Sequence, residues 1–506
     1  MNNKKLKLIL SFSLSFLLLI AEGITFLAIS KLDMLPDTLM LAVGGLLLLL
    51  WIVCTLMLLL PSKKQRSGRA IAASILVVLF IAGNAVVTNI LGTLYETMHS
   101  ITKPSVTTVS MMIYIKADDP ACAIKDTAGY PFGVSYVSGV EITNDAIADV
   151  QSKIGSNIQT IVYNSVPEMV NALYRGEVKA IIMDSAYVSL LEEFELYADF
   201  HTRTKVIHEV VVEEIVIPPV ETKPSEPPAT ENKPEGMEPF VIYLSGTDSR
   251  SGSFKRSRSD VNILAVVNPQ TKQILLVNTP RDYYVPNPAG KGVQDKLTHC
   301  GIYGVDCSVK ALSTLYDVPI KYNAQINFFG FHTLIDVIGG ITVYSDIGFN
   351  AAGGKYYFPA GPVELDGERA LVFARERHGV PGGDSTRGKN QMKVITAVVN
   401  KLTSGTTIIS NYTDIMNSLQ GMFQTNVEMD TVSELVKMQL KDMSSWNIKS
   451  YAVTGKGSNQ ITFSMPGKPL YVMLPNEASV NHGQNLIDRV LNGDVLTDAD
   501  LTVPAN

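Results

Sequence analysis

The chain opens with three unbroken apolar runs and then changes character. Leu6 to Ile29, Leu39 to Leu60 and Ala70 to Leu94 hold 24, 22 and 25 residues dominated by Leu, Ile, Val, Phe and Ala. At ~1.5 Å per residue each is long enough to cross ~30 Å of hydrocarbon as a helix. Residues 1–104 are therefore predicted to form a membrane anchor with three transmembrane helices (about 6–29, 39–60 and 70–94). The first span is retained, because no A-x-A-like cleavage site follows its apolar core. In residues 105–216 the strand-like runs TIVYN and KAIIMD alternate with the helical patterns AIADVQSKI, VPEMVNALYRG and AYVSLLEEFELYA. That alternation predicts a small α/β accessory domain with βαβ units, serving as a spacer or interaction domain. Residues 217–239 carry seven of the chain's 25 prolines and no apolar periodicity, the pattern of an extended linker. A larger domain, 240–490, follows.

Charge gives these segments a direction. Residues 1–104 hold nine basic and four acidic side chains, so with a net charge of −6 overall the other 402 residues carry −11. An acidic outer part excludes a general nucleic-acid binder. Lys4, Lys5 and Lys7 precede the first span, and Lys63, Lys64, Arg66 and Arg69 lie between the second and third. The positive-inside bias thus predicts a multi-pass protein of the cell membrane, with a cytoplasmic N-terminus and everything after residue 95 outside. Glu22, about 24 Å along the first helix, is expected to snorkel to the outer interface. Asn84 and Asn89 are expected to be helix-packing contacts. Cys300 and Cys307, spaced C-x6-C outside the membrane, permit a disulfide that a domain of this size does not need.

The candidate chemistry lies in the large domain. PFVIYLSGTDSR is a strand running into a loop that presents Asp248 and Arg250. RSRSDVNILAVV and QILLVNTPRD are apolar strands joined by Asn268-Pro269-Gln270-Thr271-Lys272. A hairpin centred near Gln270 puts Asp260 and Arg281 at the same end of the sheet, with Arg258 nearby. Asp248 and Asp260 then either hold a hard divalent ion through oxygen or merely neutralise arginines on a solvated rim. Seven histidines without H-E-x-x-H and the lack of a cysteine cluster argue against zinc. For Arg375 and Arg377 to face one ligand, the helix carrying ELDGERALVFAR must end near Arg375 or the segment must be extended. Asp384 or Ser385 is a plausible N-cap for a helix to Leu402, with Arg387 and Gln391 on one face continuing toward Ile395, Val398 and Leu402. That face is polar at its start and apolar beyond, which suits an amphiphile with a phosphate head, or else is ordinary core below surface ion pairs. No Walker-type loop, GxSxG or Rossmann fingerprint is present.

Taken in order, GTDSR, RSD before an apolar strand, NTPRD, KLTHCGIYG, INFFGF with LIDVIGGI, ELDGERALVFARER and D-x-x-R-x-x-x-Q closely resemble the LytR-CpsA-Psr family over residues 240–402. Three spans and an outer domain before the linker resemble its CpsA, capsule-associated branch. The resemblance implies an α/β fold with a mixed central sheet flanked by helices, around a pocket for a polyprenyl chain. It implies an enzyme that transfers a capsular glycopolymer from an undecaprenyl-pyrophosphate carrier to peptidoglycan, with Mg²⁺ or Mn²⁺ on the pyrophosphate and a lipid pyrophosphatase side activity. Carried over motif by motif, Asp248 and Asp260 would bind the metal, and Arg258, Arg281, Arg375, Arg377, Arg387 and Gln391 the phosphates. Its partners would be the polyprenyl-pyrophosphate-linked polysaccharide, peptidoglycan, the membrane and capsule-assembly proteins. One departure is that KLTH continues as Cys-Gly-Ile-Tyr-Gly in place of a small residue and a Gly-rich turn.

The chemistry agrees with such a role. The leaving group is a lipid monophosphate, and a metal ion with several guanidinium groups stabilises charge developing on the bridging oxygen. Asp282 and Asp384 are the candidate bases for the acceptor hydroxyl. The rival expectation is a polyprenyl-phosphate-binding membrane regulator of capsule expression. Against it, the cytoplasmic parts are a seven-residue tail and a loop of about nine residues, too small for a helix-turn-helix.

Overall fold

The computed structural model describes residues 3–59, 68–101, 106–215, 237–247, 255–404, 414–415, 418–419 and 421–503. They divide into two compact units. The first unit contains α1 (Asn3–Leu32), α2 (Asp37–Leu59) and α3 (Gly68–Ile101), all long and apolar enough to cross a membrane. Leu18, Glu22 and Thr25 fall on one stripe of α1, and all three are buried in the bundle. Glu22 is therefore not the interfacial acid expected: it is 3% exposed because its helix face, rather than its depth, decides its surroundings. Thr25 Oγ1 donates to Asn84 Oδ1 at 2.7 Å, so Asn84 is the packing contact its position suggested. The same unit includes the helix Met429–Asp442, whose Met429, Val432 and Val436 pack on Leu32, Met34, Leu94 and Met98.

The second unit begins with β1 (Val106–Lys116), β2 (Pro131–Val134), α4 (Val140–Ile154), β3 (Gln159–Val162), α5 (Val166–Arg175), β4 (Ala180–Asp184), α6 (Val188–Leu191), α7 (Phe200–Arg203) and β5 (Thr204–Ile215). The strands form one sheet in the order β3-β2-β4-β1-β5. β2 is parallel to β3 and β4, and β1 antiparallel to β4 and β5. The alternation of strand and helix read from the sequence is thus present. The segment 186–198 is not the long helix its pattern predicted, since only Val188–Leu191 is α-helical. Phe194, Tyr197 and Phe200 recur every third residue, and the chain follows them in tight turns. Phe194 N–H donates to Leu191 O at 2.9 Å, Tyr197 N–H to Phe194 O at 2.9 Å and Phe200 N–H to Tyr197 O at 2.8 Å. All three rings are buried in a cluster that extends to Ile302, Tyr303, Met465 and Leu470 of the following domain.

The larger sheet uses β6 (Phe240–Thr247), β7 (Val261–Asn268) and β8 (Gln273–Asn278). β9 (Tyr284–Asn287) and β10 (Val293–Lys296) pair separately and lead through α8 (Leu297–Cys300) into α9 (Val305–Tyr316). β11 (Tyr322–Asn327) and α10 (Phe328–Val337) precede two small strand pairs, β12 (Ile341–Ser345) with β15 (Gly361–Leu365) and β13 (Phe349–Ala351) with β14 (Tyr356–Phe358). α11 (Gly367–Arg375), α12 (Asp384–Thr403), β16 (Phe423–Thr425) and β17 (Asn447–Ala452) follow. The six-stranded order is β16-β11-β6-β7-β8-β17, with β11 parallel to β6 and β17 parallel to β8 and the remaining pairs antiparallel. Alternate side chains serve opposite faces. Leu264, Val266, Leu275 and Val277 pack with Leu312, Tyr316, Leu486 and Ile487 from α9 and the helix Glu477–Leu491. Ile263, Ala265 and Leu276 pack with Met392 and Ile395 of α12. The expected mixed sheet flanked by helices is therefore observed.

Cys300 and Cys307 are buried free thiols. The departure after KLTH is accommodated by α8 and one tight turn, Gly301–Tyr303. A Cβ at Gly301 would lie 2.5 Å from Ser257 O and 2.7 Å from Ser259 N, so only glycine lets this turn lie against the irregular segment, just before β7, that bears Arg258 and Asp260. Linker residues 216–236 lie outside the described residues.

Candidate functional site

β7 and β8 pair from Asn268 opposite Gln273 to Ile263 opposite Asn278. Extended past its last pair, this register sets Asp260 opposite Arg281, and Arg281 Nη1 lies 2.9 Å from Asp260 Oδ1. Thr298 Oγ1 adds a long contact to the same oxygen at 3.4 Å. The hairpin thus delivers both residues to one sheet end, as the spacing predicted.

The second contribution is the start of α12. Gly382 and Gly383 adopt positive φ, and Asp384 is already the first helical residue, one step inside the N-cap position expected of it. Gly388 packs so closely on Asn278 that any side chain would overlap its amide, and this pins the helix to β8. Arg387 Nη2 lies 2.5 Å from Asp384 Oδ1, and Arg281 Nε lies 4.0 Å from that oxygen and 3.8 Å from Asp282 Oδ2. Lys296 Nζ continues the chain, 3.3 Å from Asp282 Oδ1 and 3.6 Å from Glu193 Oε2, and the other oxygen of Glu193 pairs with Arg258. An alternating network therefore runs from the accessory domain to α12, with four cations and four carboxylates.

Its electrostatics are uneven. Burial works against ionisation of Asp260, but the Arg281 and Arg387 guanidiniums outweigh it and hold the carboxyl below its usual range. Burial raises Asp384 above that range, with Asp282 and Asp260 adding to the effect against Arg387 and Arg281. Arg281 is opposed by burial yet driven upward by Asp260, Asp282 and Asp384, so it stays charged. Two buried guanidinium nitrogens in the network, Arg281 Nε and Arg387 Nε, have no hydrogen-bond partner, and Asp384 Oδ1 and Asp282 Oδ1 are held by ion pairs with Arg387 and Lys296 without an aligned hydrogen bond. Such atoms normally find partners. Unsatisfied guanidinium N–H groups suit phosphate oxygens, and carboxylate oxygens suit a hard cation.

Next to the network is an apolar, partly open cavity of about 160 Å³. Leu244, Val261, Ile326, Phe331, Val394 and Ile395 line it, with Gln391, Arg375 and Ser245 as polar wall. Along α12 the surface passes from Arg387 through Gln391 to Val394 and Ile395, the polar-to-apolar gradient read from the sequence. α11 ends at Arg375 and the backbone is extended at Glu376, one of the two arrangements that would let Arg375 and Arg377 face one ligand. The Arg375 guanidinium stands 4.2 Å over the Phe328 ring at the cavity wall. Arg377 is exposed, and its Nε donates to His378 Nε2 at 3.2 Å.

The structure therefore brings Arg258, Asp260, Arg281 and Arg387 into one network and places Gln391 and Arg375 on the adjoining cavity. Asp248 falls in 248–254, outside the described residues. Among the described residues, no three His, Cys, Asp or Glu gather as a metal cluster. Lys296 and Glu193 were missed. Lys296 opens the KLTH motif and was open to reading as a further cation, whereas Glu193 is distant in sequence and gave no signal.

Comparison with known proteins adds the following. The LytR_cpsA_psr family model matches residues 216–479, just over half of the chain. An Enterococcus faecalis protein named polyisoprenyl-teichoic acid--peptidoglycan teichoic acid transferase TagU is 36% identical over 200 residues, 39% of this chain. A Bacillus cereus protein of the same name is 35% identical over 201 residues, 40% of this chain. The chain spans just under two thirds of these relatives, 65% and 64% of their length. The crystal structure of B. subtilis TagU superposes with a TM-score of 0.40 at 26% identity, covering 52% of this chain and 100% of that one. These relatives correct the expectation of a CpsA, capsule-associated branch, together with its capsular polymer, role in capsule expression and capsule-assembly partners: their names specify teichoic acid. That expectation rested on the spans and the outer domain, which lie outside the residues that the family model matches.

Proposed function

Because this chain belongs to the LytR-CpsA-Psr family, we propose that it is a membrane-anchored transferase joining a teichoic-acid-type glycopolymer, carried on a polyprenyl pyrophosphate, to peptidoglycan. Arg258, Arg281, Arg375, Arg377, Arg387 and Gln391 would bind the phosphates. The carrier's hydrocarbon would lie in the cavity beside Val394 and Ile395. The observation that carries this reading is the continuity of α12 from a buried cation, Arg387, into an apolar cavity lined by Val394 and Ile395.

In the reaction, a peptidoglycan hydroxyl attacks the phosphorus nearer the polymer. A phosphodiester forms between polymer and peptidoglycan, the bond from that phosphorus to the bridging oxygen breaks, and polyprenyl monophosphate leaves. Asp384 is the proposed base for the hydroxyl proton, since burial makes it a better proton acceptor than an ordinary carboxylate. Arg281 and Arg387 neutralise charge on the departing phosphate. A divalent cation such as Mg²⁺, held by Asp260 with Asp248, would supply further charge stabilisation there. The spans keep the site beside its lipid, with the N-terminus cytoplasmic and the later domains outside.

The test supplies an undecaprenyl-pyrophosphate-linked teichoic acid oligomer and a peptidoglycan acceptor to the full chain, with and without Mg²⁺. Released polyprenyl monophosphate together with acceptor-linked polymer is expected. Bound lipid with neither product would end the transferase reading.

A further inference from the structure

Glu193 lies in the accessory domain, in the turn between α6 and the aromatic residues Phe194, Tyr197 and Phe200, yet its carboxylate reaches the phosphate network. One oxygen pairs with Arg258 and the other lies 3.6 Å from Lys296 Nζ. We propose that Glu193 is a built-in counter-anion of the phosphate site, holding Arg258 and Lys296 until a substrate phosphate displaces it. This rests on the reading above that Arg258 binds phosphate.

Three observations carry it. First, Glu193 offers one oxygen to each of two cations, as a phosphate would, and lies at the end of a network whose other cations keep unsatisfied N–H groups at Arg281 and Arg387. Second, its placement is set by contacts between the accessory domain and the larger domain. Tyr187 Oη and Tyr303 Oη are 2.7 Å apart, Arg256 Nη1 donates to Ser138 O at 3.0 Å, and Ile302 and Met465 complete the cluster around the turn's aromatics. The carboxylate is therefore held at high effective concentration over the two cations. Third, its side chain is 27% exposed on a turn, whereas Asp282 is 12% exposed and belongs to the large domain itself. Of these two anions on Lys296, Glu193 can swing outward without opening the core.

A tethered competitor weakens every phosphate ligand by the same factor, and its removal should therefore tighten binding without new contacts. A partly exposed ion pair of this kind corresponds to about a 1.5- to 5-fold effect. The experiment titrates inorganic pyrophosphate into the full chain in detergent micelles by calorimetry, comparing wild type with E193Q, E193D and R258A. Tighter binding by E193Q, with E193D close to wild type, supports the proposal. Unchanged or weaker binding by E193Q overturns it, as does equal tightening in E193D, because the charge would then not be the cause. R258A separates the two readings: weaker binding there keeps Arg258 as a phosphate ligand whatever Glu193 does. Unaltered binding by R258A removes that premise, and the proposal with it.

Discussion

Asp260 and Arg281 lie 21 residues apart in sequence and 2.9 Å apart in space, because the β7–β8 hairpin folds the chain about its turn and sets them opposite each other. The pair is partly exposed on a sheet end, so its removal should affect chemistry far more than folding. Asp260→Ala and Arg281→Ala are each expected to slow polymer transfer by roughly 30-fold to 1000-fold, equivalent to about 2 to 4 kcal/mol in the transition state. Single-turnover rates measured beside thermal midpoints check this. A midpoint falling in parallel with the rate would mean that the pair is structural.

The cavity predicts a different kind of variant. Ile395→Trp should fill the space beside Val394 and Gln391. It should cost about 1 to 3 kcal/mol of stability through overpacking, and the purified protein should lose co-purifying polyprenyl lipid. Mass spectrometry of extracted lipid is the readout, and undiminished lipid in this variant would place the tail elsewhere.

As the proposed base, Asp384 would make the reaction pH-dependent in a defined direction. A base must be ionised to accept a proton, and burial raises the pKa of Asp384. The acid limb of kcat/KM should therefore lie above the ordinary aspartate value of about 4, with the rate climbing as pH rises through it. Asp384→Asn should lower the rate and remove that limb. A limb that persists in this variant assigns the base to another group.

Asp295 serves the fold. It is fully buried, accepting from Asn287 Nδ2 at 3.0 Å, Lys296 N–H at 2.8 Å, Ser464 N–H at 3.1 Å and Ser464 Oγ at 2.5 Å, and it lies 2.7 Å from His299 Nδ1. Burial opposes its charge, but His299, Ser464 and the Lys296 N–H prevail, and its pKa falls. Its contribution is therefore present above its unfolded pKa of about 4 and lost as pH drops through the lower folded value. Asp295→Ala should cost about 3 kcal/mol, because it leaves a buried histidine unpaired. Denaturant midpoints at several pH values measure both effects.

Membrane orientation is also open to direct measurement. Reporters fused after Pro104 or at Asn506 should be active only outside the cell, and one inserted between Lys64 and Gly68 only inside. A cytoplasmic signal from either outer fusion would reverse the topology.

What was legible in the sequence follows from the range of each contact. The Asp260–Arg281 pairing is counted directly from a hairpin, and the end of α11 at Arg375 follows from two arginines spaced wrongly for one helix face. The three spans declare themselves by length. Where two periodicities competed, the pattern misled: residues 186–198 look helical, but aromatic residues at every third position favoured tight turns. Glu22 was misplaced because distance along a helix says nothing about which face meets its neighbours. Glu193 was invisible because 65 residues separate it from Arg258, and no local pattern reports a contact between a turn of one domain and a loop of the next.

One rigid helix holds both the cation that would grip the carrier's phosphate and the wall that would shelter its tail. Arg387 and Ile395 are eight residues apart on α12, about 12 Å of continuous helix. On the proposed reading, the helix would act as a calliper that gauges the head and first stretch of the lipid together and leaves the polymer beyond the phosphates ungauged. A protein built on such a rod can exchange its cargo while keeping its carrier.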